Sequence, residues 1–140
     1  SVGDIIVATE TVEHDFHDKS GKSLLPRFSG AETILSELQS LTSDINSFQI
    51  HLAPVASGDE DVMDIDRRKA VFNLTGAFAV AWEGAGGARA CQFSNIPFVE
   101  IRGITDFADN NAVSDFETNM EIVMNNITVF IISWLKKRHE

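Results

Sequence analysis

Apolar and polar positions fall along the chain in blocks whose period shifts between about two and about three and a half residues. Residues 4–9 are β-branched and mostly apolar, as in a strand buried on both faces. Residues 10–28 mix His, Asp, Lys, Ser, Gly and Pro, which predicts the strand's end and then a long loop. Ser29 and Glu32 have capping-box spacing, and Ala31, Ile34, Leu35, Leu38 and Leu41 recur at helical intervals, so a helix is predicted over 30–42. Residues 48–55 alternate as a second strand and end in the turn Ala56-Ser57-Gly58-Asp59. A short helix over 64–74 follows, with Gly76 as its stop.

Residues 77–82 predict a third strand, 84–93 a helix of small residues, 97–103 a fourth strand and 105–113 a polar loop. Ser114 with Glu117 marks a second capping box. The last helix carries Phe116, Met120, Val123, Ile127, Phe130 and Trp134 as one stripe, and Lys136, Lys137 and Arg138 suit the negative end of its dipole. Strands alternating with helices predict one α/β domain over residues 1–140. It has three layers, with helices on both faces of a mostly parallel or mixed sheet.

Residues 77–106 hold the candidate chemistry. Two strands joined by a helix of about ten residues predict a right-handed crossover between parallel neighbours. Glu83 would follow the first strand and Asp106 the second, at one edge of the sheet and on strands ~5 Å apart. Ligands of open α/β sheets bind at that edge. Two carboxylates there suit a glycosyl transfer, one holding sugar hydroxyls and the other protonating the departing base. From spacing alone, helix N-cap carboxylates are the commoner reading of such acids.

Composition narrows the partners. Eleven basic residues against 21 acidic ones leave a net charge of −10, which repels phosphate backbones and argues against nucleic acid. The 44% hydrophobic content suffices for a core. The apolar run 127–135 is about half the length of a membrane span, so no membrane partner is expected. The lone Cys91 and the lack of a visible signal segment predict a cytoplasmic protein, with Cys91 buried and inert.

Other motifs are weaker. His14, Asp15, His17 and Asp18 form a polar loop without a cysteine cluster, a poor metal site. A calcium loop starting at Asp59 needs Gly sixth and Glu twelfth, where Asp64 and Ala70 stand. In Gly84-Ala85-Gly86-Gly87 the third glycine of a dinucleotide fingerprint is replaced by Arg89. Neither a metal nor a cofactor is therefore predicted. Arg102 can alternatively be read as pairing with an acid in the core.

The segments Ala79-Val80-Ala81-Trp82-Glu83-Gly84-Ala85 and Ile96-Pro97-Phe98-Val99-Glu100-Ile101-Arg102-Gly103-Ile104-Thr105-Asp106-Phe107-Ala108-Asp109 carry a family resemblance. They resemble the V-E-M-E-(A/G)-A and V-R-x-I-S-D-x-A-D steps of the purine nucleoside phosphorylase superfamily, in particular its methylthioadenosine/S-adenosylhomocysteine nucleosidases. Val2 to Val7, Glu13-His14-Asp15 and Ser57-Gly58-Asp59 are similar to further family pieces in the same order. The resemblance implies cleavage of the N-glycosidic bond of a purine nucleoside. Asp106 would then engage the purine N7 and activate the leaving base, and Glu83 would accept the ribose hydroxyls. Trp82 replaces a methionine beneath the sugar, Arg102 matches an arginine near the attacking water or phosphate, and Thr105 keeps a serine's hydroxyl.

The same resemblance implies a homodimer, with loops like 16–28 at the interface. It covers only the second half of such a domain. The other half carries a Gly-rich strip and the glutamate that activates water, so the chain is expected to be a fragment or to need a complementing N-terminal half. Ala81 stands in place of the family's first glutamate, and Glu60, Asp61 and Val62 stand where a purine-stacking aromatic is expected. A non-catalytic nucleoside-binding or oligomerisation module, a futalosine-type hydrolase and a nucleoside phosphorylase are the alternatives.

Overall fold

The computed structural model describes residues 1–19, 21 and 24–139. Among them, β1 (Ile5–Glu13), β2 (Arg27–Ser29), α1 (Glu32–Gln39), β3 (Ile50–Ser57), α2 (Ile65–Thr75), β4 (Ala79–Ala81), α3 (Gly84–Phe93), β5 (Ile101–Gly103) and α4 (Ala112–Lys137) follow in order. The strands form one mixed sheet flanked by helices, ordered β2-β1-β3-β4, with β5 also on β1. β1, β3 and β4 are parallel. β2 and β5 run antiparallel to β1 on its remaining edge, β5 beside Ile5–Val7 and β2 beside Glu10–Val12.

β1 is the centre because its residues can be buried on both faces. Ile5 and Val7 point to one side, into a cluster with Leu38, Leu41, Phe48 and Phe130. That cluster seats α1 and the C-terminal part of the predicted stripe of α4, with Ile127 and Trp134 packed around it, while Phe116 at the head of the stripe is exposed. Ile6 and Ala8 point to the other side and meet Ala53 and Val55. A register shift between Ala8 and Thr11 bends the strand where its outer edge changes partner from β5 to β2.

The local signals hold in part. Asp64 caps α2 by accepting from the Arg67 amide at 2.8 Å, and Gly76 ends it in the left-handed conformation at φ 75°. Neither predicted capping box forms. Ser29 is held in β2 opposite Glu10, so α1 starts from Ala31 without a side-chain cap. α4 begins at Ala112, ahead of Ser114, because Asp109 takes up the Asn111 and Ala112 amides. The predicted loop over 10–28 holds the end of β1 and the first two residues of β2, and Ser20, Lys22 and Ser23 lie outside the described residues. Cys91 is half-buried rather than buried.

The largest correction concerns the crossover. β4 pairs with β3, and β5 pairs antiparallel with β1, so two strands separate them and their directions oppose. The crossover rule applies to parallel strands of one sheet, and β5 is not one. After α3 the chain instead passes to the far edge, where Ala31 donates to the Phe98 carbonyl and Ala8 to that of Glu100. Among the described residues no helix is long and apolar enough to cross a membrane.

Candidate active site

The C-terminal ends of β1, β3 and β4 open on a cavity of about 550 Å³, within the roughly 300–1,000 Å³ usual for small-molecule sites. Its wall is made by Glu13, Ser57, Gly58, Trp82 and Glu83 at the strand ends, by Asp15, Phe16, His17 and Asp59 from the two adjoining turns, and by Ala85 and Gly86 of α3.

Ser57 is the hinge of this wall. Its fully buried hydroxyl donates to the Trp82 carbonyl at 2.9 Å and accepts from the Ala85 amide at 2.9 Å. One side chain thus fixes the turn that presents Trp82 and Glu83. Gly58 follows because a Cβ there would lie 2.5 Å from His14 Nε2 and 2.8 Å from Asp15 Cγ. Asp15 in turn accepts from the Asp59 amide at 2.7 Å. The short Ser-Gly-Asp and His-Asp pieces, far apart in sequence, are one contact in the fold. His14 is buried, and among the described residues neither ring nitrogen has a hydrogen-bond partner, although Nδ1 lies 3.8 Å from a Glu60 carboxylate oxygen; no group of three His, Cys, Asp or Glu among them is placed to hold a metal.

Glu83 occupies the N-cap position of α3, yet its carboxylate does not cap the helix. It turns to Arg102, whose Nη2 donates to it at 2.9 Å. The guanidinium's hydrogen bond holds the Glu83 carboxyl below the ordinary glutamate range, so the acid is ionised where it borders the cavity. Burial of Arg102 works against its charge, but hydrogen bonds and charges from Glu100 and Glu83 outweigh that and raise its pKa. Arg102 therefore does pair with a buried acid, Glu100, through Nε at 2.7 Å. Trp82 donates from its indole to the Glu60 carbonyl at 3.2 Å, and Glu60 itself is tied to Arg67.

Asp106 and Thr105 stand elsewhere. The loop after β5 crosses the sheet toward β4: Ile104 rests on the Ile6–Ala8–Ala53–Val55 cluster, and Ala108 on that of Ala56, Val62, Val71 and Ala77. Within it Asp106 accepts from the Thr105 hydroxyl at 2.7 Å and from the Ala108 amide at 2.8 Å. Ala108 takes a positive φ of 49°, and Asn119 of α4 pins the Thr105 carbonyl at 2.9 Å. Neither Asp106 nor Thr105 is on the cavity wall. Trp82, Glu83 and Arg102 are thus brought together, and Asp106 with Thr105 forms a second station reached by the return loop.

Sequence reasoning missed Glu100, Glu13 and Phe16. Glu100 had a signal: an acid two residues before Arg102 in an otherwise apolar strand puts both charges on one face. Glu13 had none, since its ion pair with Arg89 of α3 spans 76 residues.

Residues 1–136 match the family described as the Phosphorylase superfamily. The chain belongs to that superfamily. Among curated relatives, the 5'-methylthioadenosine/S-adenosylhomocysteine nucleosidase of Bacillus cytotoxicus is 26% identical over 145 residues, covering 98% of the chain and 63% of the relative. The nucleosidase of Neisseria meningitidis, solved with methylthio-immucillin-A, superposes with a TM-score of 0.90 at 23% identity, over 98% of the chain and 63% of its own. The futalosine hydrolase of Helicobacter pylori superposes equally, with a TM-score of 0.90 at 24% identity, over 98% and 61%. The chain spans just under two thirds of the length of these superfamily members. The likeness confirms the three-layer α/β fold of the superfamily.

Proposed function

We propose that this chain acts in cleavage of the N-glycosidic bond of a purine nucleoside of the methylthioadenosine or adenosylhomocysteine type, releasing the base. The observation that carries the reading is the ionised Glu83, held by Arg102 at the edge of a nucleoside-sized cavity. An ionised carboxylate accepts two hydroxyl hydrogens at once, which suits the 2' and 3' hydroxyls of ribose. Trp82 supplies an apolar face for the sugar, and Phe16 offers a second ring on the same wall for the base. Asp106, on the return loop off the cavity wall, is assigned as the acid that protonates or hydrogen-bonds N7 as the bond breaks, with Thr105 orienting its carboxyl.

The test is direct: methylthioadenosine and adenosylhomocysteine are incubated with the protein, and free adenine is followed by chromatography. Adenine release that disappears in Asp106→Asn supports the assignment; release unaffected by that change removes it. A second reading, a nucleoside-binding module without turnover, is favoured by one feature. Ala81 and the Glu60–Val62 stretch lack the family's first glutamate and its stacking aromatic, and Val62 is buried against α2 rather than turned to the cavity. Saturable binding without adenine would support that reading.

The superfamily relationship and the apolar side chains exposed on α4, among them Ile122, Met124, Ile132 and Leu135, support a homodimer or a complementing segment as partner. Sedimentation over a concentration series checks the former. A single half-buried cysteine supports a cytoplasmic location.

A further inference from the structure

The roles above leave one buried acid unused. The Glu100 side chain is 4% exposed, and both of its oxygens are engaged. One accepts from the Thr11 hydroxyl at 2.6 Å, the other from Arg102 Nε at 2.7 Å. The Nη2 of the same guanidinium reaches Glu83 at 2.9 Å. A planar fork with fixed donor directions thus spans an anchored acid inside the sheet and a working acid at the cavity. Gly84 completes the arrangement: a Cβ there would lie 2.6 Å from Glu100 Cδ and nearer still to its oxygens. The patterns that this chain resembles place a glutamate at the position of Ala81 and allow alanine at that of Gly84. Here an acid stands just ahead of β5 instead, and position 84 lacks the atom that would exclude it.

The geometry points to Glu100 as a positioning residue: by anchoring Arg102 it sets where the Glu83 carboxylate stands, and so how tightly the sugar is held. This rests on Glu83 being the sugar-binding acid. The consequence is selective, because Glu100 has no part in the binding of the base.

Two variants reach the carboxylate from opposite sides. Glu100→Gln removes its charge, and Gly84→Ala leaves it intact but pushes a methyl into its place. Carboxyl carbon NMR follows the titration of Glu83, and calorimetry measures binding of methylthioadenosine and of free adenine. Both variants are expected to move the Glu83 midpoint, Gly84→Ala upward because Arg102 is displaced from its anchor. Nucleoside affinity should fall by roughly 5–30-fold, the loss of one or two charge-assisted hydrogen bonds, with adenine affinity kept within about twofold. Glu83→Gln combined with Glu100→Gln should bind no more weakly than Glu83→Gln alone. An unmoved Glu83 midpoint in folded Glu100→Gln overturns the inference, as does equal loss of nucleoside and adenine. Thr11→Val, which removes only a hydroxyl donor, carries the same measurements if the other two variants fail to fold. Wild-type protein that binds neither ligand would sink the sugar-binding role of Glu83, while its midpoint would still decide whether Glu100 places it.

Discussion

The two acids of this chain are held in opposite ways. Glu83 stands at the end of a parallel strand with its side chain 71% exposed, and a cation anchored from behind keeps it charged. Asp106 stands on a loop and is held by a hydroxyl and an amide, with no ion pair to it among the described residues. A carboxylate that must accept hydroxyl hydrogens gains from a permanent countercharge. The division of labour proposed for the pair is set against these two surroundings.

The sharpest way to break the contrast is at Asp106. Asp106→Asn keeps the shape and both loop contacts but cannot cycle a proton, so adenine release should drop by about two to four orders of magnitude. Substrate affinity, measured by calorimetry, should change little. The reverse pattern would make Asp106 a binding residue and erase the distinction.

Arg102→Met comes next. It leaves Glu100 buried without its cation, which costs about 3 kcal/mol by the usual measure of a broken buried pair. Urea denaturation should show that loss at neutral pH, together with a raised titration midpoint for Glu83. A variant as stable as wild type would show that the Glu83 corner is not built on a charge pair.

Ser57→Ala tests how the corner is presented. Removing the hydroxyl strands the Ala85 amide and the Trp82 carbonyl, for a loss of about 1–2 kcal/mol. Among the described residues the hydrogen bonds of the Asp106 loop do not involve Ser57, so amide exchange should quicken at 82–85 and stay unchanged at 105–109.

The smallest effect is the pH dependence of the exposed pair. Its pKa is depressed in the folded chain, so its contribution is full above the ordinary glutamate range and is lost as pH falls through the folded midpoint. Solvent screening keeps that contribution below about 1 kcal/mol. Wild type and Glu83→Gln should therefore differ slightly in urea stability at pH 7 and converge in acid.

Several features were readable before any coordinates. The apolar run at 4–9, the Ile127–Phe130–Trp134 part of the last stripe and the Gly76 stop of α2 are local patterns, and they reappear where their spacing put them, whereas Phe116 at the head of that stripe is exposed. The capping boxes were equally local, yet they failed. Ser29 was taken by a strand pairing with Glu10, and the start of α4 was claimed by Asp109. A short motif is only one bidder for a backbone amide, and a tertiary contact can outbid it.

By itself the sequence determined the α/β class, the small-residue start of α3 and the identity of the acids, because these depend on side-chain period and type. Tertiary structure decided how the acids are distributed. No period within 77–106 says whether β5 will lie beside β4 or cross to β1, since that choice turns on which sheet edge still has unpaired amides and carbonyls. Once β5 took the outer edge of β1, Arg102 was placed between Glu100 and Glu83, and Asp106 had to return by a loop. Contacts such as Thr11 with Glu100, 89 residues apart, arise from that choice of edge and from nothing written locally.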